Sequence, residues 1–194
     1  MAKRNTIRYL TAEQKKRFLK ALADSRQGWR DHFMFALMLS TGMRLSETTN
    51  LDIKDVHNGL TARESLEIMG KGSRIRQIPL NKDIRGYIDR YVSRRKKMDR
   101  GFSTIDPLFL SRNGRRITPR AVQLNFDRWI QISGIEGKFS PHCLRHSVGT
   151  ELMKRTGNIR TVQAFLGHRY ISTTQVYTHV NKEDLVVCAE LLSV

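Results

Sequence analysis

Residues 140–147 read Ser140-Pro141-His142-Cys143-Leu144-Arg145-His146-Ser147, with two imidazoles and a guanidinium packed directly behind a Ser-Pro pair. Serine followed by proline is a helix start, because the serine oxygen can take a free N–H of the first turn and proline lacks only a donor that would be unpaired there anyway. On the helix so begun, Leu144, Val148 and Leu152 recur at helical spacing and form the face turned to the core. His142 and Arg145 then share another face, beside free N–H groups and a dipole that attract anions, which is phosphate-binding geometry.

The same letters admit other readings. His142 and His146 stand four apart, the spacing by which two helical histidines grip zinc, with His168 available as a third ligand. Against a metal, Cys143 stands where a metalloprotease carries its catalytic glutamate, and Arg145 would set a permanent positive charge beside the ion. The plainest reading is a capped helix whose histidines are satisfied within the core.

The whole chain bounds the choice. Its 194 residues suit one domain with a proper core. Lys and Arg number 35 against 18 Asp and Glu, a formal charge of +17 that points to a polyanionic partner, nucleic acid first among them. Two cysteines, Cys143 and Cys188, cannot build a disulfide framework, so a reducing, cytoplasmic setting is expected. The longest apolar run, over 33–39, is far too short to span a bilayer, and the charged N-terminus leads into no signal-like core, so no membrane partner is expected.

Helical signals dominate the pattern. Thr11 caps a helix through 22, an apolar segment over 29–40 reads as a buried helix stopped by Thr41-Gly42, and a short helix starts near Leu45. Strand-like runs at 66–69 and 74–80 flank Gly70-Lys71-Gly72-Ser73, which predicts a β-hairpin with Lys71 at its tip. Ile84, Ile88 and Tyr91 return to helical spacing and run out into Arg94-Arg95-Lys96-Lys97, read as a solvated or phosphate-facing helix end. Thr118-Pro119 opens a further helix with Val122, Phe126, Trp129 and Ile130 inward, closed by Gly134. The fold class expected is therefore mainly α with a small antiparallel β-hairpin.

Polar groups of one kind converge on the quoted stretch. His168 and His179 join it from the last third of the chain, and Arg44 opens a helix with Glu47 one turn on, where a carboxylate can lock the guanidinium. A pinned arginine makes a good phosphate clamp.

The set Thr41-Gly42-Met43-Arg44-Leu45-Ser46-Glu47, Gly70-Lys71-Gly72, His142-Cys143-Leu144-Arg145-His146, Leu166-Gly167-His168 and Val176-Tyr177-Thr178-His179 resembles the catalytic domain of the tyrosine recombinases, the phage-integrase family. The resemblance covers residues 9–181. It implies that Arg44 and Arg145 hold the non-bridging oxygens of a scissile DNA phosphate, with hydrogen bonds added by His142 and His168. It implies further that Tyr177 is the nucleophile, leaving a 3′-phosphotyrosyl link, and that Lys71 protonates the departing 5′-oxygen. Glu47 and His146 match supporting positions, and neither metal nor ATP is called for. Arg74, Arg76, Arg94, Arg95, Lys96, Lys97, Arg115 and Arg116 are the basic residues expected to face DNA.

The expected organisation is a catalytic domain over 1–180 and a tail helix over 181–194. Asn181 with Asp184 resembles a capping pair, and Leu185, Cys188, Ala189 and Leu192 form an apolar stripe that can dock on its own domain or on a neighbouring protomer. The separate helical domain that most family members carry ahead of the catalytic one is not expected in this chain. That leaves two readings open, a short single-domain member resembling the fimbrial phase-switch DNA invertases, or an excised catalytic domain. The partners expected are duplex DNA with paired half-sites, further copies of the chain, a monomer when free and a tetramer on DNA, and accessory DNA-bending proteins, with the protein associated with the nucleoid. The rival functions are a type IB topoisomerase-like relaxing enzyme and a non-catalytic DNA-binding regulator on the same fold.

Overall fold

A computed structural model describes residues 8–25, 28–69, 75–167 and 182–192. Helix α1 (Ala12–Ala23) begins at a reciprocal cap in which Gln14 N–H donates to Thr11 Oγ1 (3.2 Å) and Thr11 N–H donates to Gln14 Oε1 (2.9 Å). Helix α2 (Trp29–Thr41) is the centre of the molecule: every residue from Phe33 to its end is buried, and α1, α5 (Lys82–Met98) and α7 (His142–Thr156) pack around it. It stops at Gly42, whose φ of +62° only glycine adopts without strain, and where a Cβ would lie 2.4 Å from Leu166 Cδ2.

Short helices α3 (Leu45–Asn50) and α4 (Ile53–Val56) lead to the hairpin of β1 (Ser65–Met69) and β2 (Ile75–Pro79). The strands pair antiparallel with Leu66 opposite Ile78 and Ile68 opposite Arg76, so these four residues share the inner face. Lys71 and Arg74, with the rest of the hairpin tip, lie outside the described residues. Helix α5 (Lys82–Met98) buries Ile84, Ile88 and Tyr91 as the spacing predicts.

Helix α6 (Pro119–Ile132) follows its Thr118 cap, and α7 (His142–Thr156) carries the quoted stretch. Pro141 stands at the boundary of α7 rather than inside it, and the turn is closed by Cys143 N–H donating to the Ser140 carbonyl at 2.8 Å. Leu144, Val148 and Leu152 are buried as expected. Helix α8 (Ile159–Leu166) starts at the Asn158 side chain and ends at Gly167, φ +68°.

The tail helix α9 (Lys182–Glu190) lies against α8 and β2 of its own chain, with Cys188, Ala189 and Leu192 buried. Asn81 ties it down: its Oδ1 caps α5 by accepting from Ile84 N–H, while its Nδ2 donates to the carbonyls of Ala189 (2.9 Å) and Leu192 (3.1 Å). The mainly helical fold with a two-stranded antiparallel sheet agrees with the sequence reading. Among the described residues, no helix is long and apolar enough to cross a membrane.

Candidate functional site

The site assembles where three chain breaks in helical structure meet: the turn from α2 to α3, the start of α7 and the end of α8. Glu47 is its organiser. Its Oε1 accepts from Arg44 Nη1 (2.8 Å) and Arg76 Nη1 (3.0 Å), and its Oε2 accepts from Arg44 backbone N–H (2.8 Å) and Arg76 Nη2 (2.8 Å). Burial alone would raise this carboxyl, but the hydrogen bonds and charge of Arg76 and Arg44 overcome it and hold the pKa down at about 2. The expectation that a carboxylate one turn on locks Arg44 is met in this geometry.

Arg145 is buried on α7 and is held differently. It donates through Nη1 to the Gly42 carbonyl (2.5 Å) and through Nη2 to the Leu166 carbonyl (2.6 Å). Both acceptors sit at helix C-termini, those of α2 and α8, where unpaired carbonyls concentrate partial negative charge. A guanidinium has five N–H donors, and Arg145 uses two of them among the described residues. Burial, then the nearby charges of Arg44 and Arg76, push its pKa down to about 10, which leaves it protonated at neutral pH.

Three guanidiniums against one carboxylate leave the cluster with a net formal charge of two positive. Such a cluster repels itself until an anion arrives, and Arg44, 39% exposed along its side chain, gives that anion a way in. His142 is exposed on the first turn of α7, on the face of Arg145. His146 is exposed one turn on, and partial desolvation, followed by the charges of His142 and Arg145, lowers its pKa. Cys143 is buried between them, and burial pushes its thiol up to about 12 despite the Ser140 contact, so it is neither nucleophile nor thiolate ligand at neutral pH. No group of three His, Cys, Asp or Glu side chains comes together for a metal among the described residues. His168 and Tyr177 lie outside those residues.

The basic residues divide sharply. Arg94 is exposed, with its guanidinium 4.5 Å over the Trp29 ring, and Lys97 and Arg115 are exposed. Lys96, also exposed, donates to the Gly59 carbonyl. Arg95, expected at a DNA-facing helix end, is instead buried: it follows Tyr91 on the inner stripe of α5 and donates to the carbonyls of Pro107 and Leu108. Arg116 stays partly exposed but is tied to Asp52 Oδ1 (2.5 Å) and to the carbonyls of Thr49 and Leu51, at the C-terminal end of α3. Arg76 is bound to Glu47 rather than displayed. Charge placed Arg95 and Arg76 at the surface; their positions on the inner faces of α5 and β2 turn them inward.

Asp31 is a buried acid the sequence reading passes over. It accepts from Trp129 Nε1 (2.9 Å) and Arg30 Nε (2.7 Å), bracing the far end of α2 against α6.

The model of the phage integrase family matches residues 8–184. The tyrosine recombinase XerC of Escherichia coli O157:H7 is 40% identical over 156 residues, 80% of this chain and 50% of that protein. The XerC of Escherichia coli strain K12 / DH10B matches to the same extent, 40% over 156 residues. The chain thus spans about half the length of the curated relatives it matches. Among solved structures, the crystal structure of XerA recombinase has a TM-score of 0.72 at 27% identity, covering 91% of this chain and 62% of that one. XerH site-specific recombinase bound to difH substrate, in a pre-cleavage complex, has a TM-score of 0.70 at 25% identity, covering 95% of this chain and 54% of its own. With a family match running almost from end to end and the fold to go with it, the chain belongs to the phage integrase family.

Proposed function

We propose that this chain is the catalytic unit of a site-specific recombinase that cuts and rejoins duplex DNA through a 3′-phosphotyrosyl intermediate. The observation that carries the reading is the guanidinium cluster: Arg44 on Glu47 and Arg145 on two helix C-termini, each held by groups other than the ligand. Donors fixed before the reaction stabilise charge that develops on phosphorus at no cost of reorganisation.

In the reaction so assigned, Arg44 and Arg145 bind the non-bridging oxygens of the scissile phosphodiester, with His142 and His168 beside them. The Tyr177 hydroxyl passes its proton to an imidazole of the site as its oxygen attacks phosphorus, the bond to the 5′-oxygen breaks, and Lys71 delivers the proton that this basic oxygen needs. One phosphodiester replaces another, so the bond energy is kept in the Tyr177 link, and attack by a 5′-hydroxyl from a second strand returns it to DNA. The +17 chain supplies non-specific attraction for the duplex. Strand exchange calls for paired half-sites and four copies of the chain in the working complex, with a monomer when free and bending proteins as accessory partners at the nucleoid.

The test is incubation with nicked suicide duplexes drawn from DNA flanking the gene, in the presence of chelator. The expected result is a covalent protein–DNA band, and exchange of strands between two defined sites rather than relaxation of any supercoil. Arg145→Ala should lower its rate by about 10²–10³-fold. No band with any flanking duplex, or a band that needs added zinc, would refute the reading.

A further inference from the structure

Arg76 stands apart from the other basic residues of the hairpin. Its side chain is 13% exposed, against 39% for Arg44, and both its terminal nitrogens are committed to Glu47. It lies flat on the end of α8, where a Cβ on Gly167 would meet its Cδ at 2.7 Å. Its Nε is buried and finds no partner among the described residues. Two of its five N–H donors are committed to Glu47, so its guanidinium faces the carboxylate.

Glu47 has a double effect on Arg44. It fixes the guanidinium, and it also offsets the charge that the guanidinium is there to supply. A second cation on the same carboxylate removes the second effect and keeps the first, because the negative charge is then shared between two partners. With Arg76 in place, the cluster keeps a net formal charge of two positive. A phosphodiester carries one negative charge, and its pentacoordinate form gathers a second on the same oxygens. The excess charge of the cluster therefore matches the transition state better than the ground state, which is the difference that accelerates a reaction.

Resting on the recombinase reading above, we infer that Arg76 is a positioning residue: it shares Glu47 with Arg44, keeps Arg44 oriented and uncompensated toward the scissile phosphate, and makes no DNA contact of its own. It also ties strand β2 to the start of α3 and the end of α8, so the hairpin cannot drift from the cluster.

The test compares wild type, Arg76→Gln, Glu47→Gln and the double variant, for single-turnover cleavage of a suicide duplex at saturating protein and for half-site affinity against salt. A circular dichroism melt confirms that each is folded at the assay temperature, and Arg76→Lys is run beside them. The expected result is cleavage slowed about 10- to 100-fold in Arg76→Gln with affinity and salt dependence unchanged. Arg76→Lys, which keeps charge without the bidentate fork, should recover only part of the rate. Glu47→Gln should lose at least as much as Arg76→Gln, because it releases Arg44 as well, and the two losses should not multiply in the double variant. A weakened half-site with a salt slope lower by about one, and rate losses that multiply, would make Arg76 a phosphate ligand and overturn the inference. So would an Arg76→Gln rate equal to wild type. Failure of wild type to cleave would overturn the recombinase reading itself and the inference with it.

Discussion

Replacing Glu47 by glutamine tests the organiser of the site without changing its shape. The amide keeps one oxygen and turns the other into a donor, so two of the four hydrogen bonds from Arg44 and Arg76 become donor against donor. The charge is the larger part. Folding takes the carboxyl from an ordinary 4.5 to about 2, and at about 1.4 kcal/mol per unit this amounts to about 3 kcal/mol of stability at neutral pH. The folded pKa is the depressed one, so the contribution is complete above 4.5 and is lost as pH falls through that value toward 2. Urea unfolding of wild type and Glu47→Gln at pH 7 should therefore differ by about 3 kcal/mol, and the linkage relation leaves about 1.4 kcal/mol of that difference at pH 3. A difference under about 0.5 kcal/mol at pH 7, or one that does not shrink in acid, would show that Glu47 is not paired as described.

Asn81→Ala removes a helix cap and the side-chain donor to the Ala189 and Leu192 carbonyls, of which Ala189 still accepts from Leu192 N–H, so a loss of about 1–3 kcal/mol is expected, together with faster amide exchange in α9. Unchanged exchange there would mean that the tail does not rest on this residue. Gly42→Ala forces φ +62° on an alanine and sets its Cβ 2.4 Å from Leu166 Cδ2, so either the Leu166 side chain or the Gly42 backbone, whose carbonyl holds Arg145, must shift. Cleavage should fall at least tenfold with half-site binding intact, and equal loss of both would point to simple unfolding. Lys71→Ala should be slow on ordinary DNA and largely rescued when sulfur replaces the bridging 5′-oxygen, since a thiolate leaves without a proton. Arg145→Ala should stay crippled on both substrates, and rescue of neither or both would remove Lys71 as the acid.

Local chemistry was legible where a single turn decides it. Thr11, Thr118-Pro119 and Gly42 marked their helix ends because caps depend on residues a few positions apart. The pairing of Arg44 with Glu47 was legible for the same reason, being one turn of α3. What charge suggested, periodicity should have overruled. Arg95 follows Ile84, Ile88 and Tyr91 on one helical stripe, and Arg76 shares its strand face with Ile78, so both positions point inward whatever their charge. The tail shows the reverse limit. Its stripe was plain, but the surface that covers it is set by Asn81, 108 residues before Ala189, and no local pattern reports that contact.

The whole assignment turns on which atom becomes bonded to DNA. The most direct measurement is to trap the covalent complex on a suicide duplex under chelator, digest it, and map the modified peptide by mass spectrometry, with Tyr177→Phe as the control. The expected result is a nucleotide joined through its 3′-phosphate to Tyr177, and a Tyr177→Phe protein that binds the half-site with wild-type affinity and forms no adduct. An adduct on any other residue, a 5′-phosphoryl linkage, or an adduct that persists in Tyr177→Phe would contradict it.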